Sequence, residues 1–246
     1  MRTTTVMAAS FSMAVITLLS ALLLGKLGSA SMEVSAPDTP IPVAIQAVIL
    51  EDPAYTVHAA YPKVADMRDA AFEKVFNASA KRELQHRIDA LASSAQTAYK
   101  VRDPSRPWFP HSLDARLQVY FNDGVLLCMS QRLDLYTGGV HGETDAVFYN
   151  ILNTQPARVL TLPEIFINRK KGVELVNAAV RKGIAEQGLI SESFRTVDEK
   201  TWFYITGKDL IVVFPEYAIG PHAAGVPEFK LPLSSLADIL IPGIAR

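Results

Sequence analysis

The clearest pattern in the chain is an alternation of apolar and polar positions between residues 113 and 121. Leucine, alanine, valine or phenylalanine occupies every second position from Leu113 to Phe121. A period of two predicts a strand with one buried face. Asn122-Asp123-Gly124 follows as a hairpin turn, and the apolar segment 125–136 is its predicted partner strand.

Similar patterns predict further strands on both sides of this hairpin. An apolar run at 43–50 is broken by Glu51-Asp52-Pro53 and followed by a second run at 55–61, which Pro62 ends, so these two runs form a predicted hairpin. The remaining predicted strands are 143–152 with its partner 158–162, the hairpin 202–206 and 210–214, and a short strand at 228–231.

Two segments have the spacing of amphipathic helices. The longer one, 66–95, has apolar residues three, four or seven positions apart, which is the spacing of one buried helix face. Those residues are Val64, Met67, Ala71, Val75 and Ala78, followed by Leu84, Ile88, Leu91 and Ala95. In the shorter helix the face is Val173, Val176, Val180 and Ile184, with Gly188 as its C-cap. A last helical turn is predicted at 234–240.

Helices and hairpins fall in separate blocks along the chain. This order predicts an α+β fold rather than βαβ alternation. We expect antiparallel sheets, built from hairpins, that pack against one long and one shorter helix. The body divides into an N-terminal α+β half, 43–110, and a C-terminal α+β half, 111–246.

The first 30 residues form a predicted export signal or membrane anchor. Residues 6–25 carry no charge, and about 20 apolar residues can span a hydrocarbon core of about 30 Å. Gly28-Ser29-Ala30 suits cleavage of a signal peptide, whereas without cleavage residues 6–25 anchor the chain in the inner membrane. Residues 31–42 are a linker. Both alternatives predict an extracytoplasmic protein, periplasmic or secreted.

Composition and charge exclude several classes of function. The chain has 24 basic and 25 acidic residues, so it lacks the positive surface that nucleic-acid binding requires. Cys128 is the single cysteine, which excludes an intramolecular disulfide, and its apolar neighbours predict a buried residue.

No catalytic, metal or cofactor motif occurs in the sequence. The histidines lack zinc-ligand spacing, and there is neither a G-x-S-x-G elbow nor a phosphate-binding glycine loop. His141-Gly142-Glu143 is similar to the H-x-E of zinc deaminases, but the downstream P-C-x-x-C is absent. We therefore predict no catalytic residues, no metal and no cofactor.

Two glycine-rich loops, 136–143 and 216–225, are the candidate site. Each contains a tyrosine, a histidine, a glutamate and several glycines. One interpretation is that they are tight connections whose side chains satisfy local backbone groups; the other is that they converge on one surface site for a ligand or protein partner. The candidate ligand-binding residues are Tyr136, Gly138, Gly139, His141, Glu143, Glu216, Tyr217 and His222.

The same loops resemble a bacterial extracytoplasmic domain family. Residues 136–142, YTGGVHG, are similar to the family motif Y-x-G-G-A-H-G, and 216–225 is similar to Y-E-I-A-P-Y-A-x-G. Asn150 with 160–166, the hairpin around 210–214, and Tyr61-Pro62 also match, so the resemblance covers about 43–240. Members of this family include the sensor domain of RsiV-type lysozyme-binding anti-sigma factors, accessory domains of peptidoglycan deacetylases, and a secreted mycobacterial antigen.

The resemblance implies an α+β fold without an established catalytic role. In this sequence Val140 replaces the usual Ala, and His222 stands where Tyr is common. Deacetylase activity belongs to a separate domain in the relatives. Anti-sigma activity needs a cytoplasmic segment, and only five residues precede the apolar run. We expect neither activity in this chain.

These observations together predict a non-catalytic binding module of the cell envelope. Its expected partner is a lysozyme-like protein or peptidoglycan, with contact to the membrane through the N-terminal segment if that segment is uncleaved, and no contact with nucleic acid. Two alternatives stay open: an envelope hydrolase acting through His141, Glu143 and His222, and a purely structural envelope protein.

Overall fold

The computed structural model describes residues 39–189, 193–221 and 225–244. The predicted signal or anchor at 1–30 lies outside these residues, as does the linker apart from 39–42. His222 of the candidate site also lies outside them.

The described residues form nine strands and two α-helices. The predicted α+β fold with one long and one shorter helix is confirmed. The elements are β1 (Val43–Asp52), β2 (Tyr55–Val64), α1 (Ala70–Lys100), β3 (His111–Asn122), β4 (Leu126–Tyr136), β5 (Glu143–Leu152), β6 (Arg158–Val159), α2 (Arg169–Glu186), β7 (Trp202–Ile205), β8 (Asp209–Val213) and β9 (Glu228–Pro232). The predicted turn at 234–240 consists of two short 3-10 helices, Leu233–Ser235 and Ala237–Ile239.

Six strands form one sheet in the order β1-β2-β3-β4-β5-β6, and the last three form a second sheet in the order β7-β8-β9. Every predicted hairpin is present, and all neighbouring strands are antiparallel except one pair. That pair is β2 and β3, which run parallel because α1 carries the chain back between them. One βαβ unit therefore lies inside a sheet that was predicted to be built from antiparallel hairpins. The sheet contains strands from both predicted halves, 43–110 and 111–246.

Pro62 lies inside β2, although its missing N–H predicted the end of that strand. Proline is tolerated where its nitrogen faces away from a ladder hydrogen bond. Pro62 is opposite Ile45 of β1, and the parallel pairing with β3 extends only to Ala59. The strand therefore continues to Val64.

The helix α1 covers one face of the six-stranded sheet. The Asp69 side chain caps its first turn by accepting a hydrogen bond from the Phe72 N–H at 3.0 Å. Hydrogen bonds from backbone amides, this one first, lower the pKa of the Asp69 carboxyl. The predicted face is confirmed from Leu84 to Ala95. Val64 and Met67 are also buried, as predicted, but they precede the helix, and the prediction is wrong for the first turns of α1. Phe72, Phe76 and Ala80 are the buried residues there, while Ala71, Val75 and Ala78 are exposed. Phenylalanine buries far more apolar area than alanine, so the two aromatic rings set the orientation of the helix.

The second sheet and α2 cover part of the opposite face. Alternate residues of β4 point to the two sides: Leu127 and Met129 pack with the phenylalanines of α1, whereas Leu126 and Cys128 pack with β7, β8 and α2. A strand buried on both faces is expected to be continuously apolar, as β4 is in this stretch. Asn150 joins the two sheets, because its Nδ2 donates to the Phe203 carbonyl oxygen of β7 at 2.8 Å.

The rest of this face is free of covering elements among the described residues, and we call it the open face. Register places the side chains of His58, Asp114, Asp134 and Thr144 on it, since each is paired with the next across the sheet. Within the described ranges, no helix is long and apolar enough to cross a membrane.

The single thiol is expected to be inert in the folded protein. Cys128 is fully buried, and this burial raises its pKa to about 12, so almost no thiolate exists at pH 8. An aromatic disulfide reagent should modify no thiol in the native chain and one thiol per chain in denaturant. Complete modification of the native chain, as fast as in denaturant, would show that Cys128 is not in this core.

Candidate functional site

The first candidate loop, 136–143, contains the last residue of β4, the connection 137–142 and the first residue of β5, at one end of the open face. Gly138 has φ +84°, a conformation that L side chains rarely adopt. A Cβ on Gly142 would lie 3.0 Å from the Leu135 carbonyl oxygen, so the chain turns too closely there for a larger residue. The loop projects into solvent at Val140, which is 90% exposed, and at the exposed His141.

A buried histidine packs against the first loop at Gly138. His111, the first residue of β3, is 4% exposed, and its Nε2 would be 3.1 Å from a Cβ on Gly138. Its ring stacks on Trp108 with centroids 5.6 Å apart, and no described group is hydrogen-bonded to its Nδ1. Burial lowers the pKa of His111, because water no longer solvates the imidazolium. The neutral His111 ring therefore packs against Gly138.

The second candidate loop follows β8 and reaches the same end of the open face. Its base is closed by a hydrogen bond from the Phe214 N–H to the Pro227 carbonyl oxygen, and Ile219 anchors it in the core at 2% exposure. Tyr217 has φ +66° and is 64% exposed. Glu216, next to this turn, is half-buried and faces the first loop.

The two loops border one open depression of about 350 Å³. Of the predicted site residues, Tyr136, His141, Glu143 and Glu216 line it. Gly138 and Gly139 shape the first loop without lining the depression, and Tyr217 lies outside the lining. The other lining residues are Ser112, Asp114, Asp134, Leu135, Gly142 and Thr144.

Four of the lining side chains are carboxylates. Asp114 and Asp134 lie opposite each other on β3 and β4. Thr144 Oγ1 donates to Asp134 Oδ1 at 2.8 Å, and Arg132 Nε approaches the same oxygen at 3.1 Å. Glu143 and Glu216 add two more carboxylates at the rim, with His141 as the single basic side chain in the lining. Arg116 Nη2 lies 3.9 Å from Asp114 Oδ1, so an arginine stands beside each floor aspartate. The net negative charge of the depression therefore comes from the two rim glutamates.

The sequence alone did not indicate Ser112, Asp114, Asp134 and Thr144. The alternation in β3 already placed Asp114 on the polar side of its strand. What it could not show is the register that sets Asp114 opposite Asp134, and Asp134 opposite Thr144. This register turns scattered polar residues into the floor of the depression.

A larger groove of about 520 Å³ lies between α2 and β9. It contains none of the predicted site residues, and the Gln187 side chain bridges it by donating to the Glu228 carbonyl oxygen at 3.3 Å. Across the part of the chain that the structure describes, no three histidine, cysteine or acidic side chains are grouped so that they could hold a metal ion.

Comparison with known proteins shows a shared fold without an assigned activity. Residues 164–234 match the family described as "Protein of unknown function (DUF3298)". A member of that family from Bacteroides fragilis NCTC 9343 is 17% identical and has a TM-score of 0.64, over 82% of this chain and 94% of that one. A DUF3298 family protein from Pseudomonas aeruginosa PAO1 is 18% identical and has a TM-score of 0.61, over 84% of this chain and 97% of that one.

No curated protein matches the sequence. The predicted resemblance is thus supported at the level of an uncharacterised α+β domain related to DUF3298. The narrower links to RsiV-type anti-sigma factors, deacetylases and the mycobacterial antigen stay predictions.

Proposed function

We propose that this chain is an exported, non-catalytic binding module whose ligand docks on the depression between the two loops. The single observation that supports it most is the convergence of these distant loops beside an acidic patch of the open face. Glu216 and His141 are 75 positions apart in the sequence, yet both line the same depression. Side chains brought together in this way on a rigid sheet are well placed for recognition.

The shape of the depression favours binding over catalysis. Its volume is at the small end of the range for ligand pockets, about 300–1,000 Å³. It is open, and its floor is polar, whereas an active site normally surrounds its substrate and excludes water. A shallow acidic depression suits a protruding cationic side chain of a larger partner.

Charge favours a basic protein over peptidoglycan as that partner. The peptides of peptidoglycan carry carboxylates, which the aspartates and glutamates of the depression would repel. A lysozyme-like protein with a basic surface offers lysine and arginine side chains of complementary charge. We therefore propose a basic extracytoplasmic protein as the partner, with peptidoglycan as the competing outcome.

Removing the two rim glutamates is expected to weaken this binding about tenfold, since a rim charge contributes about 0.2–1 kcal/mol. The full chain is immobilised and titrated with a basic lysozyme at low and at high salt. The double variant Glu143→Gln/Glu216→Gln should bind more weakly and lose most of the salt dependence. Glu174→Gln, an exposed change on α2, is the matched control and should bind as the wild type does.

A parallel incubation with insoluble peptidoglycan separates the alternatives. Binding to peptidoglycan but not to the lysozyme would replace the protein partner by a cell-wall ligand. Release of soluble fragments, abolished by His141→Ala, would point to the hydrolase instead. If the chain bound neither material, or bound the lysozyme equally well without both glutamates, the proposed site would be wrong.

A further inference from the structure

The strand β1 is an edge strand of the six-stranded sheet. It pairs with β2 along all ten of its residues, and no strand of the described ranges pairs with its other side. Half of its backbone N–H and C=O groups must therefore point outward from the sheet. Such a row of groups is a template for another strand.

The bonds made by β2 identify which residues of β1 point outward. Pro62, opposite Ile45, has no N–H to give. The Ala60 carbonyl oxygen, opposite Ala47, accepts a hydrogen bond from the Gln131 side chain and so points away from β1. These two pairs are therefore the non-hydrogen-bonded pairs of the antiparallel ladder.

Val64 at the end of β2 agrees with this assignment. Its N–H and carbonyl oxygen both bond to the Asn77 side chain, at 2.9 and 2.8 Å, and not to Val43 opposite. Alternation then extends the pattern along β1. The residues whose backbone groups point outward are Val43, Ile45, Ala47, Ile49 and Glu51.

The side chains of this edge are apolar and exposed. Ile45 and Ile49 are 62% and 68% exposed, and both lie with Ala47 on the same side of the strand. The segment 43–50 contains neither charge nor proline. Natural edge strands are usually short, or carry charged residues or prolines, because an edge without this protection pairs with other chains.

The other described edges have that protection. β6 is two residues long. β9 alternates Glu228, Lys230 and Pro232 with its buried residues, and β7 has its Phe203 carbonyl already bonded to Asn150. The unprotected edge of β1 is therefore a local feature that needs its own explanation.

We propose that β1 pairs in antiparallel orientation with β1 of a second copy of this chain. A two-fold axis at Ala47 sets Ala47 opposite Ala47 of the second copy, Ile45 opposite Ile49, and Val43 opposite Glu51. In this register each residue with outward-pointing backbone groups meets another such residue, and the pairing uses the strand from 43 to 51. The two sheets become one continuous sheet across the dimer.

A second copy fits this edge better than an unrelated strand does. An isologous contact must be self-complementary, and here no like charges meet, because Glu51 lies opposite Val43. The smallest side chain of the outward set, Ala47, lies at the axis, where it meets its own copy. Each Ile45 contacts an Ile49, which reduces the exposed apolar area of both isoleucines.

Disulfide trapping tests the register directly. A hydrogen-bonded antiparallel pair has Cα atoms about 5.5 Å apart, which is within the range that a disulfide spans. The full chain with Ala47→Cys should form a covalent dimer on mild oxidation, since the native Cys128 is buried. Gln118→Cys, an exposed change on β3, is the matched control and should stay monomeric.

Pairing should also respond to changes at the edge. Ala47→Pro removes an outward N–H that the chain does not use internally, and Ile45→Lys adds a charge without altering the backbone. Each should raise the monomer–dimer midpoint at least about tenfold in light scattering of the full chain. Ile45→Lys keeps the test valid if Ala47→Pro fails to fold, which circular dichroism reports.

Three results would overturn the proposal. One is a wild-type mass of a single chain at every concentration measured. Another is equal crosslinking of the Ala47→Cys and Gln118→Cys chains. The third is a monomeric chain whose Ile45 and Ile49 amides are protected from hydrogen exchange, because another part of the same chain would then cover the edge. None of these measurements involves the acidic depression, so this proposal and the binding function fail separately.

Discussion

Asn150→Asp should destabilise the folded chain by about 4 kcal/mol more at pH 7 than at pH 4. Asn150 is 2% exposed, and its Nδ2 donates to the Phe203 carbonyl oxygen. An ionised aspartate has the same shape but no proton to donate, so two acceptors would face each other in the core. The protonated acid restores a donor.

The direction of the pH dependence follows from linkage. Burial without a donor raises the folded-state pKa of the new carboxyl above its unfolded value of about 3.9. Its stability contribution is therefore complete below about pH 3.9 and is lost as pH rises toward the folded pKa. Each pH unit up to the folded pKa costs about 1.4 kcal/mol, so burial that holds the folded pKa at about 7 or above gives about 4 kcal/mol between 3.9 and 7.

Urea unfolding of both chains at the two pH values measures this effect, with the wild-type difference subtracted. Asn168→Asp is the matched control, because it makes the same chemical change at the exposed N-cap of α2. Aspartate caps helices as well as asparagine does, so a change within about 0.5 kcal/mol is expected. An equal loss for Asn150→Asp at both pH values would mean that the amide donor is unimportant.

Gly172→Ala should destabilise the chain by about 3 kcal/mol, although alanine is the better helix former. Gly172 is buried in the first turns of α2. A Cβ there would lie 2.1 Å from Phe166 Cγ and 2.3 and 2.7 Å from its two Cδ atoms. Phe166 is 2% exposed, and its backbone is held by an isolated β-bridge to Leu240. Its ring therefore has little room to move away. The steric conflict exceeds the gain in helix propensity.

A double-mutant cycle isolates that conflict. Phe166→Ala alone should cost about 3–5 kcal/mol through the cavity it leaves. In that background Gly172→Ala should no longer destabilise, and the helix propensity of alanine should give a gain of up to about 1 kcal/mol. Chemical denaturation of the four chains supplies the numbers. If Gly172→Ala costs the same with and without the Phe166 ring, the contact does not explain the glycine.

Local patterns in the sequence predicted most of the fold. The strand at 143–152 was predicted with its observed bounds, and the hairpins around 122–124 and 207–209 follow from turn residues between apolar runs. These elements depend on neighbours in the chain. The parallel pairing of β2 with β3 depends on how α1 packs, and no local pattern encodes that.

Long-range contacts also limited prediction of the site. The composition of each loop identified Tyr136, His141, Glu143 and Glu216, and all four line the depression. The aspartates of its floor were missed because strand register selects them. The two phenylalanines of α1 were missed although Phe72 and Phe76 continue the buried face of Leu84 at spacings of four. A second apolar series through Ala71 and Val75 has helical spacing too, and spacing alone does not weigh the area that each side chain buries.

The parallel pair formed by β2 and β3 has a consequence for how the chain folds. The hairpins β1–β2 and β3–β4 each join neighbours and form quickly. Joining the hairpins to each other requires closing a loop of about 50 residues, at a cost of roughly 3.5 kcal/mol in chain entropy before any contact compensates. The helix α1 shortens that gap once it has formed. We therefore expect the sheet to be completed last at the β2–β3 seam, and changes in α1 to slow folding more than changes in either hairpin.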